Sequence, residues 1–135
     1  MSGSLALVNQ RTDAAVADRV EVAVTRSTRR KGLLGRSALD ESSALVLAPC
    51  AAVHTMFMRF AIDVVFVDAD GRALRTVPNL GPWRIAVEPF AHAVVELPAG
   101  SLTKRHVQIG DRLYLRKDDG DRVLLSASDI RERAC

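Results

Sequence analysis

The chain has 135 residues, of which 48% are hydrophobic, 26% are charged and 4% are aromatic. These values predict one globular domain with a modest aliphatic core, and they argue against extensive disorder and against a site built from stacked aromatic rings. The formal net charge of +3 is too small to indicate nucleic-acid binding by itself, and no apolar run approaches the ~20 residues that span a bilayer.

The first half of the chain predicts short strands on both sides of one short helix. Ser27 or Thr28 is placed to cap a helix over residues 29–34, and Gly35 is placed to end it. Alternating or continuous apolar residues predict extended segments around this helix. These segments are residues 20–24, 44–48 and 53–58.

The second half predicts a series of strands joined by tight turns. Residues 62–68 form the clearest strand of the chain, and Gly71 in the Ala-Asp-Gly sequence that follows is typical of a hairpin turn. A single helical turn is expected within residues 101–107. The other predicted strands are residues 72–77, 83–87, 93–97, 112–116 and 123–125.

Short strands separated by turn residues favour a mostly β (α+β) fold, with a small β-barrel or sandwich-like architecture and one or two short helices. A single domain is expected over residues 1–135, because no linker, repeat or low-complexity segment interrupts the sequence. Its core is expected to cover about residues 20–125, and both chain ends are expected to fray.

Four segments, in this order along the chain, resemble a known family. They are Arg-Arg-Lys-Gly-Leu-Leu-Gly-Arg at residues 29–36, the segment at residues 54–68, Glu-Leu-Pro-Ala-Gly at residues 96–100, and Gly-Asp at residues 110–111. Their order and spacing are similar to those of the Domain of Unknown Function 192 family of bacteria and archaea. The resemblance implies a compact, mostly β fold, and it implies no particular activity.

Two acidic residues, Asp63 and Glu96, stand inside predicted apolar strands. An ionised carboxylate in such a strand needs an ion pair or hydrogen bonds. Asp63 is either a structural group, bonded to backbone N–H groups or to Arg36 or Arg59, or a ligand-binding or catalytic group. If Asp63 and Glu96 converge, they would form a carboxylate pair with separated pKa values, as acid–base chemistry needs.

Cys50 and His54 are close in sequence, although a strand would hold them about 13 Å apart, too far to share a metal or a proton. A bent loop would allow a zinc site or a Cys50 nucleophile with His54 as base. The simpler interpretation is a small buried Cys50 and a hydrogen-bonded His54 at a rim. The sequence predicts no metal site and no cofactor. Two cysteines make no disulfide framework, which predicts the cytoplasm, with a Cys50–Cys135 bridge as the alternative.

Two further segments each have two interpretations. The basic run at residues 26–36 contains no acidic residue, and it could contact phosphates or form a solvated face. The segment at residues 56–60 contains two methionines and two phenylalanines, and it could line an apolar pocket or belong to the core. The second interpretation is the simpler one in both cases.

The leading functional hypothesis is a binding module for a small polar or anionic ligand, with neither a nucleic acid nor a membrane as partner. The first alternative is a small hydrolase or lyase that uses Asp63 or Glu96 with His54. The second is a nucleic-acid or protein interaction module that uses the basic run. The residues expected around the binding cleft are Arg36, His54, Arg59, Asp63 and Glu96.

Overall fold

Residues 4–131, the part of the chain that the computed structural model describes, form eleven strands and three short helices. In chain order these are β1 (Leu5–Asn9), β2 (Ala14–Ala17), β3 (Arg19–Ala23), α1 (Arg26–Lys31), β4 (Ser43–Leu47), β5 (Ala52–His54), β6 (Ile62–Val67), β7 (Ala73–Leu80), β8 (Ile85–Val87), β9 (Ala93–Pro98), α2 (Ser101–Lys104), β10 (Leu113–Lys117), β11 (Arg122–Val123) and α3 (Ala127–Asp129).

The strands form three sheets. A four-stranded antiparallel sheet has the order β11-β10-β1-β2. A five-stranded sheet has the order β3-β4-β9-β6-β7, in which β3 and β4 are parallel and the other neighbours are antiparallel. β5 and β8 form a separate antiparallel pair, which we call the ribbon.

Each face of the five-stranded sheet is covered by its own hydrophobic core. Side chains alternate between the faces of a strand. Val65 and Val67 of β6 therefore face a first core, shared with the four-stranded sheet. Val64 and Phe66 face a second core, to which the ribbon and the segment after α1 contribute. Burial on both faces explains why β6 is almost continuously apolar.

The hairpin between β6 and β7 connects the two larger sheets. Gly71 at its tip has a φ of 84°, as the sequence predicts, and its carbonyl accepts a hydrogen bond of 2.8 Å from the backbone N–H of Leu113. A Cβ atom at Gly71 would collide with the carbonyl oxygen of Leu113. Both the backbone conformation and the close approach therefore require glycine at this position.

Helix α1 begins three residues earlier than the sequence predicts. Its N-cap is Thr25, whose hydroxyl accepts a hydrogen bond from the backbone N–H of Thr28, while the Thr28 hydroxyl accepts one from the backbone N–H of Thr25. This reciprocal pair is a capping box, with threonine in place of the usual glutamate. The predicted caps at Ser27 and Thr28 are therefore wrong, and the helix ends at Lys31 with Gly32 as its C-cap, not at Gly35.

The prediction of a mostly β fold is confirmed. Within residues 4–131 the sheets are layered and do not close into a barrel, so the barrel alternative is wrong. The structure adds β1 and β2, and β1 is an interior strand between β10 and β2.

The chain ends that are expected to fray, residues 1–3 and 132–135, lie outside the described residues. A bridge between Cys50 and Cys135 lies outside them as well. No helix within residues 4–131 is long and apolar enough to cross a membrane.

Asp111 holds the turn before β10 against the end of β1. One carboxylate oxygen accepts a hydrogen bond of 2.6 Å from Arg11 Nε, and the other accepts bonds of 2.8 Å from Asn9 Nδ2 and from the Gln108 backbone N–H. The bond from Arg11, followed by those from Asn9 and Gln108, lowers the pKa of the Asp111 carboxyl below its usual value, although burial opposes the change.

We expect Asp111→Asn to lower the free energy of unfolding at neutral pH by roughly 1–3 kcal/mol, because a neutral amide replaces a hydrogen-bonded carboxylate. A lowered pKa contributes stability that is present above the unfolded pKa of ~4 and is lost as the pH falls further. Urea unfolding at pH values from neutral to below about 4 should therefore show a smaller decrease in the free energy of unfolding for the variant than for the wild type. The exposed control Asp70→Asn should change stability by less than about 0.5 kcal/mol. An unchanged acid-induced loss in Asp111→Asn would contradict the assignment.

Candidate functional site

Glu96 is a buried carboxyl group without a full set of partners. It lies in β9 with its side chain 5% exposed, and its Oε2 atom has no hydrogen-bond partner among residues 4–131. Burial raises the pKa of Glu96 to about 7, and the charge of Arg36 opposes this shift. Near neutral pH the side chain therefore exists as a mixture of the carboxylate and the neutral acid, so it can both accept and donate a hydrogen bond.

Glu96 lines a pocket of about 60 Å³ between α1, the start of the ribbon and the five-stranded sheet. A water molecule needs roughly 10–15 Å³ of such space, so the pocket can hold several waters or one small polar group. Cys50 and His54 also line it. Its apolar walls come from Leu33, Leu47, Val53 and Met58.

The remaining wall of the pocket is basic. Arg29, Arg30 and Lys31, in the last turn of α1, line it together with Glu96. The Arg29 Nη1 atom donates a hydrogen bond of 2.8 Å to the carbonyl oxygen of Val24, whereas Arg30 and Lys31 are exposed. The pocket therefore combines three cationic side chains with one titratable acid, and its field favours a negative charge.

Cys50 lies in this pocket as a neutral thiol. Its Sγ atom donates a hydrogen bond of 3.1 Å to the carbonyl oxygen of Ala52, and burial raises the pKa of the thiol. Nucleophilic attack and metal binding both require the thiolate. Within residues 4–131 no group of three or more His, Cys, Asp or Glu side chains is placed to hold a metal ion. The environment of Cys50 thus favours neither the nucleophile nor the zinc alternative.

Asp63 has a structural role on the opposite face of the sheet. Its carboxylate accepts three backbone N–H bonds, from Asn79 at 2.8 Å, Gly100 at 3.1 Å and Leu102 at 2.9 Å. In the pairing of β6 with β9, Asp63 stands opposite Leu97, so its side chain and that of Glu96 point to opposite faces. The two carboxyl groups do not form a pair.

The two candidate arginines differ in their relation to the pocket. Arg36 is close enough to act on the charge of Glu96, and it forms an ion pair of 2.7 Å with Glu21. Arg59 is exposed and does not line the pocket. The structure therefore brings Glu96 and His54 together, places Arg36 near them, and separates Asp63 and Arg59 from them.

Sequence reasoning did not assign Arg30, Lys31 or Cys50 to the cleft. The basic run was visible, but its most economical interpretation was a solvated face. Residues 29–31 and Glu96 are more than sixty positions apart, and the pairing of β3 with β4 and of β4 with β9 brings them together. Two signals in the sequence point to this pocket, namely Glu96 within an apolar strand and the proximity of Cys50 to His54.

Beside the pocket, Thr55 holds two turns that carry exposed aromatic rings. Its hydroxyl donates to Gly81 O at 2.6 Å and accepts from the Arg84 N–H at 2.8 Å, and its carbonyl accepts from the Trp83 N–H at 2.9 Å. The rings of Phe57 and Trp83 lie 4.7 Å apart at 58°, a tilted arrangement that aromatic pairs favour.

The interpretation of residues 56–60 as core is wrong for its first two positions. Met56 is 36% exposed and Phe57 is 72% exposed, whereas Met58 is buried and Phe60 is partly buried. Phe57 has a φ of 66°, a left-handed conformation that directs this part of the chain away from a regular strand.

Comparison with known proteins identifies one family. The model of the Domain of Unknown Function 192, described as "Uncharacterized ACR, COG1430", matches residues 7–115. A UPF0127 protein of Pyrococcus furiosus is 41% identical over 64 residues, which are 47% of this chain and 54% of that protein. A UPF0127 protein of Thermococcus sibiricus is 28% identical over 112 residues, 79% of this chain and 72% of that protein. The chain thus spans about half the length of the Pyrococcus relative.

Two crystal structures share the fold. A provisionally named transcription regulator from Sinorhizobium meliloti 1021 superposes with a TM-score of 0.71 at 24% identity, covering 84% of this chain and 95% of that one. A protein of unknown function from Novosphingobium aromaticivorans superposes with a TM-score of 0.68 at 22% identity, covering 82% of each chain. At these identities the likeness establishes the fold alone.

We expect the stability of the protein to fall as the pH rises from about 4.5 to about 7, because Glu96 binds its proton more tightly in the folded state. The stabilisation is complete below the unfolded pKa and is lost as the pH passes the folded pKa. A shift from 4.5 to about 7 corresponds to about 3 kcal/mol.

Glu96→Gln removes this titration, so the variant should be more stable than the wild type above about pH 7 by up to that amount and similar to it below about pH 4.5. Urea unfolding at a series of pH values measures the difference, with the exposed Glu41→Gln as the matched control. If the free energy of unfolding of Glu96→Gln changed with pH as steeply as that of the wild type, Glu96 would not be the titrating group.

Proposed function

We propose that this protein, which belongs to the Domain of Unknown Function 192 family, is a binding module that holds the anionic group of a small molecule in the Glu96 pocket. The observation that carries the proposal is a buried carboxyl group with an unpartnered oxygen, in a pocket whose wall contains three cationic side chains. Arg30 and Lys31, which are exposed at that wall, are the groups that would first attract an anion.

The unpartnered oxygen supports a ligand because buried polar atoms in folded proteins are almost always hydrogen-bonded. Leaving one unsatisfied costs roughly 1–3 kcal/mol, and a bound group that supplies the missing hydrogen bond removes this penalty. Glu96 as the neutral acid donates its O–H to an oxygen of the ligand. A ligand carboxylate and Glu96 would then share one proton, as paired carboxyl groups do.

The charge of the pocket supports an anion over a cation. Arg29, Arg30 and Lys31 exceed Glu96 in charge even when Glu96 is ionised. Arg36 is held by Glu21, so its charge adds to the field without its guanidinium being free to contact the ligand directly. Binding of an anion to the neutral form of Glu96 couples affinity to pH, because only that form offers a donor.

Acid–base catalysis is the second candidate, and the pKa of Glu96 of about 7 favours it, because a general acid or base works best with a pKa near the working pH. His54 in the same pocket would act as its partner. Hydrolysis of 4-nitrophenyl acetate and 4-nitrophenyl phosphate tests this activity. Catalysis that is lost in both Glu96→Gln and His54→Asn would support it, and an equal rate in the wild type and both variants would exclude it.

The proposal includes no nucleic-acid partner and no membrane partner, and it places the protein in the cytoplasm. Two cysteines without a disulfide framework support a reducing compartment. Salt-dependent retardation of a short RNA or DNA would overturn the first part. Fractionation of cells that express the tagged chain would test the last.

We expect acetate to bind the wild type about tenfold more tightly at about pH 6 than at about pH 8, because the fraction of neutral Glu96 falls by that factor while acetate stays ionised. Chemical shifts of backbone amides in the pocket measure these affinities. The double variant Glu96→Gln/His54→Asn, which leaves neither a carboxyl group nor an imidazole in the pocket, should bind with an affinity that is independent of pH. Lys31→Ala should weaken binding by up to about fivefold, as expected for an exposed charge, and the control Lys117→Ala should leave it unchanged.

Two results would contradict the proposal. Absence of saturable binding at both pH values would exclude an anion site for carboxylates. Acetate binding that tightens as the pH rises would mean that the neutral form of Glu96 is not the binding form, and the shared proton between Glu96 and the ligand would then be excluded.

A further inference from the structure

We infer, on the basis of the proposed anion site, that the ligand is an amphipathic anion, whose charged head enters the Glu96 pocket and whose apolar body lies on the outer face of the ribbon. The class meant is a monomeric carboxylate with an alkyl or aryl body. Three observations support this inference. They are the size of the pocket, the apolar character of the surface beside it, and the charge around that surface.

The pocket is too small for more than a head group. Its volume is about 60 Å³, whereas pockets that enclose a complete small molecule occupy roughly 300–1,000 Å³. Any larger ligand therefore extends out of the pocket, and its binding depends on the surface that adjoins the opening.

The adjoining surface is the outer face of the ribbon. In the pairing of β5 with β8, Ala52 stands opposite Val87, and His54 stands opposite Ile85. Residues that face each other across an antiparallel pair share one face of the sheet. Ala52 and His54 line the pocket, and Ile85 and Val87 stand beside them on the same face of the ribbon.

This surface is strongly apolar for an exposed one. Ile85 is 61% exposed and Val87 is 46% exposed, and the paired rings of Trp83 and Phe57 belong to residues that are 60% and 72% exposed. Six of the eight large apolar side chains that are exposed within residues 4–131 lie between Met56 and Phe90. Exposed apolar groups concentrated in this way mark a binding surface more often than scattered ones do.

Charge favours an anionic amphiphile over a second copy of the chain. Arg59 and Arg84 are exposed and lie within two residues of Phe57 and Trp83 in sequence. Two copies that met through this face would bring like charges together. An amphipathic anion complements both parts of the surface. Its charged head contacts the cationic residues of α1, and its apolar body covers the apolar residues of the ribbon.

The experiment compares acetate, butanoate, hexanoate and octanoate at about pH 6, where Glu96 is mostly neutral, and below the concentration at which octanoate forms micelles. A methylene group that lies against one surface gains roughly half of what complete burial gives, which corresponds to about a twofold tighter affinity per methylene. Octanoate should therefore bind roughly 60-fold more tightly than acetate. Trp83 is the single tryptophan of the chain, so octanoate should shift its emission and acetate should not.

The double variant Ile85→Ser/Val87→Ser should reduce the advantage of octanoate over acetate to less than about tenfold, because the two apolar side chains beside Ala52 and His54 become polar. These residues are exposed, so the change should leave the fold intact, and urea unfolding checks this point. Ile109→Ser is the matched control, because Ile109 is 65% exposed and lies outside the ribbon. It should retain the full dependence on chain length.

The outcomes separate the inference from the function on which it rests. Equal affinities for acetate and octanoate would overturn the amphipathic ligand and leave the anion site standing. Absence of binding for every carboxylate would overturn both. A dependence on chain length that persists in the double variant, or that disappears in Ile109→Ser, would overturn the location on the ribbon. Binding to phosphatidylglycerol vesicles without binding of monomeric octanoate would overturn the monomeric ligand in favour of a lipid surface.

Discussion

The central strands β6 and β9 are buried on both faces, so each polar side chain within them has to find its partners inside the protein. Asp63 and Glu96 meet this constraint differently, although both stand among apolar neighbours. Asp63 receives three backbone N–H bonds on one face, whereas the Oε2 atom of Glu96 has no partner among residues 4–131 on the other. The sheet thus contains one carboxyl group that is bonded to the backbone of neighbouring segments and one whose Oε2 atom lacks a partner among residues 4–131.

The position of Glu96 depends on the bonds of Asp63. The N–H groups that Asp63 binds belong to the end of β7 and to the start of α2, which begins three residues after Pro98. These bonds fix the point at which β9 leaves the sheet, two residues beyond Glu96. The orientation of Glu96 toward α1 therefore follows from the register of β9 with β4 and β6, in which Leu45 and Val64 stand opposite Glu96.

The parts of the fold that the sequence predicts are those determined by neighbouring residues. The apolar run of β6, the glycine turn at Gly71 and the helical turn of α2 are local, and all three are found. β1 was not predicted, because its pairing with β10 joins residues more than one hundred positions apart. The separation of Asp63 and Glu96 onto opposite faces could not be predicted either, because a shift of the β6–β9 register by one residue would place Asp63 opposite Glu96 on the same face.

Two buried carboxyl groups give the protein opposite responses to pH. Asp111 has a lowered pKa and contributes stability that is lost in acid, while Glu96 has a raised pKa and contributes stability that is lost toward neutral pH. The interactions of Asp111 hold the turn between α2 and β10, and Asp111 does not line the Glu96 pocket, so they serve the fold. The Oε2 atom of Glu96 has no hydrogen-bond partner within residues 4–131. A ligand that supplied this hydrogen bond would stabilise the native state by mass action. The unpartnered carboxyl group stands beside a basic wall, and the proposed anion site would remove its cost to folding.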